Sequence, residues 1–150
     1  MKTPSPARQL AGFLARFSPE IVKLAKATRA KMRTRLPRAI EMVYDNYNAL
    51  VIGYSPTERP SDAIVSIVVY PHCVNVYFIR GAHLADPQGV LKGNGNQGRH
   101  IRLDAGAAIL DTPAIRAVLS EAIAFGDAPF TGTRRLVIRA ISKKQRPRRC

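Results

Sequence analysis

Tryptophan is absent from this chain of 150 residues, cysteine occurs twice, and only ten side chains are acidic. Each scarcity excludes something. Cys73 lies in an apolar run and Cys150 is the last residue. Their separation suggests neither a disulfide framework nor a zinc-ligand spacing, so a reducing, cytoplasmic setting is expected. No apolar run approaches the roughly 18 residues needed to span a bilayer. The short apolar stretch Leu10–Phe17, with Arg8 and Arg16, lacks the hydrophobic length and cleavage site of a secretion signal and reads as a first helix. His72, His83 and His100 share no ligand spacing, and His72-Cys73 would point to opposite faces of a strand. No metal or cofactor is therefore expected. No serine or cysteine stands in a nucleophile-elbow context, which leaves hydrolytic chemistry without support.

What the chain has in excess is positive charge: 24 Lys and Arg, for a formal net charge of +14. Its placement is uneven. Residues 1–38 carry ten bases and one acid, Glu20, and residues 134–150 carry eight bases and no acid. The intervening residues 39–133 carry six bases and nine acids. A mildly acidic body between two cationic ends suits contact with a polyanion such as nucleic acid. It equally suits a solvated helix face followed by a solubilising tail.

Ser5-Pro6 and Ser18-Pro19 are helix starts, since serine can cap an orphan N–H and proline at the first position loses no bond. They predict helices over about 6–16 and 19–35, the second striped by Ile21, Leu24, Ala25 and Met32. After Pro37, Ile40, Val43, Tyr44 and Tyr47 fall at helical spacing and predict a third helical segment. Within it Glu41 and Asp45 would share one face, as an acid/base pair or as ion-pair partners. The period then changes to two. Strands are predicted at Ala49–Tyr54, Ala63–Tyr70, Cys73–Ile79, Arg99–Leu103 and Arg135–Ile141. A hairpin centred on Pro71-His72 sets Val69 opposite Val74, Ile67 opposite Val76 and Val65 opposite Phe78, all on one face. Asp111-Thr112-Pro113 starts a helix buried through Ile115, Val118, Leu119, Ala122 and Ile123. Together these predict one α+β domain over 1–141, an antiparallel sheet with helices packed on one face. Residues 142–150 offer nothing apolar to bury and are expected to form a disordered basic tail.

The loop Gly93–Gly98 matches G-x-G-x-x-G, but a strand and not a helix follows it, so a dinucleotide fingerprint is not met. A nest of backbone N–H groups flanked by Lys92 and Arg99 is the weaker reading, with a plain glycine turn as its alternative. His83 and Asp86 fall in the same loop as a hydrogen-bonded or catalytic pair, or with Asp86-Pro87 as a structural turn.

Leu36-Pro37 with Glu41 four residues after the proline, the hairpin, and Gly81-Ala82-His83-Leu84-Ala85-Asp86-Pro87-Gln88-Gly89-Val90-Leu91-Lys92-Gly93-Asn94-Gly95 together resemble the YdhG-like family, a bacterial group of unknown function. The resemblance covers residues 36–124, and the ending Lys143–Arg149 resembles tails of some relatives. It implies a frataxin-like fold, a helix pair on an antiparallel sheet, and for some relatives an iron-chaperone role. That role rests on an acidic ridge along the first helix, because hard cations take carboxylate oxygen. Here those helices hold Glu20 alone among bases.

The leading expectation is a non-enzymatic binding domain whose Arg134, Arg135, Lys143, Lys144, Arg146, Arg148 and Arg149 meet the phosphates of nucleic acid or another polyanion. A second places a small phosphorylated ligand, or catalysis, at His83, Asp86, Lys92, Gly93, Gly95 and Arg99. The frataxin-like metallochaperone is the third. The basic tail has no aromatic residue, so it is not expected to stack on bases.

Overall fold

The computed structural model of the chain describes residues 3–126 and 128–149. The Ser5 hydroxyl accepts the Arg8 N–H at 3.3 Å, and Pro6 opens α1, Pro6–Leu14. Pro19 opens α2, Pro19–Arg35, and Pro113 opens α3, Pro113–Phe125. The buried stripes are Leu10, Phe13 and Leu14 on α1, and Ile21, Ala25 and Met32 on α2. On α3 they are Ile115, Val118, Leu119 and Ala122.

The strands are β1 Ile40–Asp45, β2 Leu50–Ser55, β3 Val65–Val69, β4 Val74–Phe78, β5 Arg99–Arg102 and β6 Arg135–Ile141. They form a single sheet in the order β5-β4-β3-β2-β1-β6. The fold class is α+β. The central hairpin has the register its apolar pattern dictates: Val65 faces Phe78, Ile67 faces Val76 and Val69 faces Val74. All six are at most 1% exposed and pack into one core with the apolar stripes of the three helices. Burying side chains of this size contributes roughly 1.5–3 kcal/mol each.

The structure departs from the sequence pattern in three places. Residues 40–45 form a strand, not a helix. β1 lies between β2 and β6, and Ile40, Glu41, Met42, Val43 and Asp45 are all buried. A strand covered on both faces loses its alternation, and a short apolar run then carries no period that separates strand from helix. Second, the sheet is mixed, because β6 runs parallel to β1, with a register shift between Val43 and Tyr44. The chain returns through α3, and a helical crossover permits a parallel neighbour where a tight turn does not.

Third, residues 142–149 are not a free tail. The Ser142 N–H donates to the Asp45 carbonyl at 2.8 Å, and the Arg146 N–H donates to that of Tyr47 at 2.9 Å. Arg148 is only 3% exposed. Its guanidinium lies 5.2 Å from the Phe17 ring centroid. Arginine buries on an aromatic face beside a carboxylate, a route that a count of apolar residues misses.

Glu41, 2% exposed, ties α2 to the sheet. Arg29 donates to both its oxygens at 2.9 Å, and the Tyr54 hydroxyl donates at 2.8 Å. Arg33 stands 3.7 Å away. The bidentate bond to Glu41 raises the Arg29 pKa against its partial burial. Burial first, then the Glu41 charge, pushes the Tyr54 phenol well above its ordinary range.

Two outcomes are expected. Glu41→Ala strands the Arg29 charge and the Tyr54 hydroxyl, and should cost about 3 kcal/mol in denaturant unfolding. Tyr54 holds its proton in the folded state when the unfolded chain has lost it. Its contribution is therefore complete below about pH 10 and is lost as pH rises above that. Stability measured against pH should fall above about 10, and less steeply in Tyr54→Phe.

Candidate functional site

A carboxylate buried at the end of a strand must gather positive charge or lose its own. Asp45, 1% exposed, gathers it. Arg16, just past α1, donates to Oδ2 at 2.9 Å. The Gln145 amide donates to the same oxygen at 2.5 Å, while its own carbonyl accepts from Arg16. Arg148 approaches Oδ1 at 3.5 Å and donates to the Asn46 carbonyl. Arg149 donates to the Ala15 carbonyl at 3.0 Å, at the negative end of α1. Lys144 and Arg146 lie 5.7 Å and 5.5 Å from the Tyr47 ring centroid. One acid thus folds the basic segment onto the body.

The result is an open cleft of ≈ 560 Å³ walled by Arg16, Gln145, Arg146, Pro147, Arg148 and Arg149. Four arginines stand in this wall, and two of them, Arg16 and Arg148, reach the carboxylate of Asp45. Nε and Nη1 of Arg148 are buried without a hydrogen-bond partner among the described residues. Burial lowers the pKa of Arg148 most, and neighbouring Arg16 lowers it further, against the pull of Asp45. Nothing on this wall offers a nucleophile, and its one carboxylate is held by three side chains.

The other cations named from sequence lie elsewhere. Arg134 donates to the Pro37 carbonyl at 2.9 Å and the Arg33 carbonyl at 3.1 Å, closing the end of α2. Arg135 pairs with Glu58 at 2.8 Å. Arg134 precedes and Arg135 opens a seven-residue strand of roughly 20 Å, so the fold puts them at the far end of β6 from the cleft. Lys143 is exposed. Glu41 and Asp45 do serve as ion-pair partners, but on a strand, with separate sets of cations.

In the 83–99 loop Asp86 and Arg99 are taken up by the loop's own backbone, while His83 and Lys92 are exposed. Asp86, at φ 41°, accepts the Val90 and Leu91 N–H groups at 2.9 and 3.0 Å. Its neighbour His83 stacks on Phe125 with centroids 6.0 Å apart. Arg99 donates to the Gly95 and Gly98 carbonyls at 2.6 and 2.7 Å. Lys92 bridges His100 through the backbone, and Gly93 takes φ 116°, which suits glycine. The nearest cavity, between Leu84, Phe125 and Asp62, holds only ≈ 20 Å³, room for about one water. Among the described residues no group of three or more His, Cys, Asp or Glu converges as a metal set.

No family model matches the chain, nor does any curated protein or solved structure, and nothing in those comparisons links it to the YdhG-like family. The sequence gives no sign of the part played by Arg16, Gln145 and Tyr47, because the helical spacing around Asp45 hides the strand that carries it.

Arg148→Ala leaves Asp45 short of a charge and uncovers Phe17, and should cost about 2 kcal/mol of stability. Lys143→Ala, at an exposed position, should stay within about 0.5 kcal/mol of the parent in the same urea titration.

Proposed function

We propose that this protein is a non-enzymatic binding module that holds the phosphates of a nucleic acid in the arginine cleft. The observation that carries the reading is the open cleft walled by Arg16, Arg146, Arg148 and Arg149, with Arg146 and Arg149 exposed to solvent. An anionic oxygen that enters among exposed guanidinium groups gains charge-assisted hydrogen bonds and lowers their mutual repulsion. The cleft is open, and its cations continue along the chain to Lys143 and Lys144. That spread suits a run of phosphates more than one compact ligand. A binding role fits better than catalysis, since Asp45 is occupied by Arg16, Gln145 and Arg148.

Contacts of this kind give affinity without reading sequence and release counterions on binding. If the four exposed cations Lys143, Lys144, Arg146 and Arg149 each meet a phosphate, log affinity against log salt should slope at roughly −3.6 on a duplex. The doubly substituted Arg146→Gln/Arg149→Gln protein should lose roughly 1.8 of that slope. Two unrelated sequences should respond alike. A salt titration by fluorescence anisotropy makes the measurement. No binding at low salt, or a slope untouched by the double substitution, would falsify the reading.

A further inference from the structure

The helices cover only one face of the sheet. On the other, β2, β3 and β4 with the turn before β2 leave a groove of ≈ 590 Å³. Its floor is the outward alternation Val51, Ser66 and Val68, and its walls include Tyr47, Tyr70 and Tyr77. These tyrosines are 37%, 37% and 36% exposed, and they are three of the five large apolar or aromatic side chains exposed among the described residues. Exposed aromatics scattered singly need no explanation, but a cluster in one groove marks a binding surface. Lys144 and Arg146 already lie over the Tyr47 ring, and the phenol end of Tyr77 packs closely on Gly98, so Tyr70 and the exposed part of Tyr77 are the ring surface left for a ligand.

The groove runs into the arginine cleft without a break. Asn48 and Tyr70 wall both it and an adjoining hollow of ≈ 570 Å³. That hollow shares Arg146, Pro147 and Arg149 with the cleft. Aromatic rings on an open sheet thus lead directly into a row of guanidinium groups.

We infer that this continuous surface binds single-stranded nucleic acid, with unpaired bases stacked on Tyr70 and Tyr77 and the backbone carried toward Arg146 and Arg149. The inference rests on the phosphate-binding reading above and narrows it. A duplex keeps its base faces inside and cannot offer them to a tyrosine on a sheet, whereas an unpaired strand can. Every base has a π-face, so binding tolerates any sequence. The rival occupant is a second copy of the chain. A net charge of +14 on each copy opposes that pairing and favours a polyanion.

The absence of tryptophan supplies the readout, because the intrinsic emission comes from five tyrosines alone. The probes are a twelve-nucleotide oligo(dT), its duplex with oligo(dA), and inorganic polyphosphate. Saturating oligo(dT) should quench tyrosine emission, while polyphosphate should bind without quenching. Tyr70→Ala and Tyr77→Ala should each weaken oligo(dT) binding roughly 5- to 100-fold and leave the duplex within about twofold. Tyr70→Phe and Tyr77→Phe, which keep the ring, should restore single-strand binding. Circular dichroism melting selects the variants that remain folded, and the quenching arm on the parent protein needs no variant. Unchanged emission on saturation with oligo(dT), or equal affinity for strand and duplex, overturns the stacking surface and leaves the arginine cleft standing. Failure of all three probes removes both. A dimer in sedimentation that Tyr70→Ala dissolves assigns the groove to a second copy and likewise overturns the inference.

Discussion

Two carboxylates on the inner side of one strand govern how the rest of the molecule is arranged. Glu41 and Asp45 lie at opposite ends of β1, each nearly sealed from water, and each must be met by positive charge. Glu41 takes Arg29 and Arg33 and so sets α2 against the sheet. Asp45 takes Arg16 and Arg148 and so draws the end of α1 and the basic C-terminal segment to the same point. Each pair costs desolvation, and its worth lies in specifying which elements meet. Apolar packing alone would let α2 and the terminal segment slide, because dispersion has no direction.

The same pairing decides which cations face solvent. Lys31 and Arg35 of α2 are taken by Asp111, Arg135 by Glu58, and Arg134 by carbonyls. A basic sequence is thus not a uniformly basic surface. The concentration of charge that remains around Arg146 and Arg149 arises because four arginines converge where the fold supplies one acid.

Much of this architecture is legible in the sequence. The hairpin register followed from apolar alternation with one face buried, which tolerates no slip. The helix starts followed from serine-proline pairs. β1 was not legible, since burial on both faces erases the period. The docked segment was not legible for a different reason: its anchor, Asp45, lies 100 positions from Gln145 in sequence, and nothing local to either residue announces the other. Within the candidate site, the basic residues from Lys143 to Arg149 were visible as a charge run, but their grouping with Arg16 required the fold. Tyr70 and Tyr77 carry a readable signal, since Tyr70 directly follows the inward Val69 that ends β3 and Tyr77 lies on β4 between the inward Val76 and Phe78.

The pairing of β6 with β1 has a consequence for how the protein comes into being. It joins Ile40 to Arg135, so the sheet closes only after a loop of some 95 residues has been drawn shut. Loop closure over that distance is entropically uphill until the whole strand has zipped, and contacts so remote in sequence form late. Helices α1 and α2 and the strands β1 to β4 can assemble on the ribosome while the chain beyond them is still being made. In that interval Asp45 has only Arg16 for company, and the arginine cleft does not exist. A nascent chain therefore presents the rings of Tyr70 and Tyr77 before Arg146 and Arg149 are seated beside them.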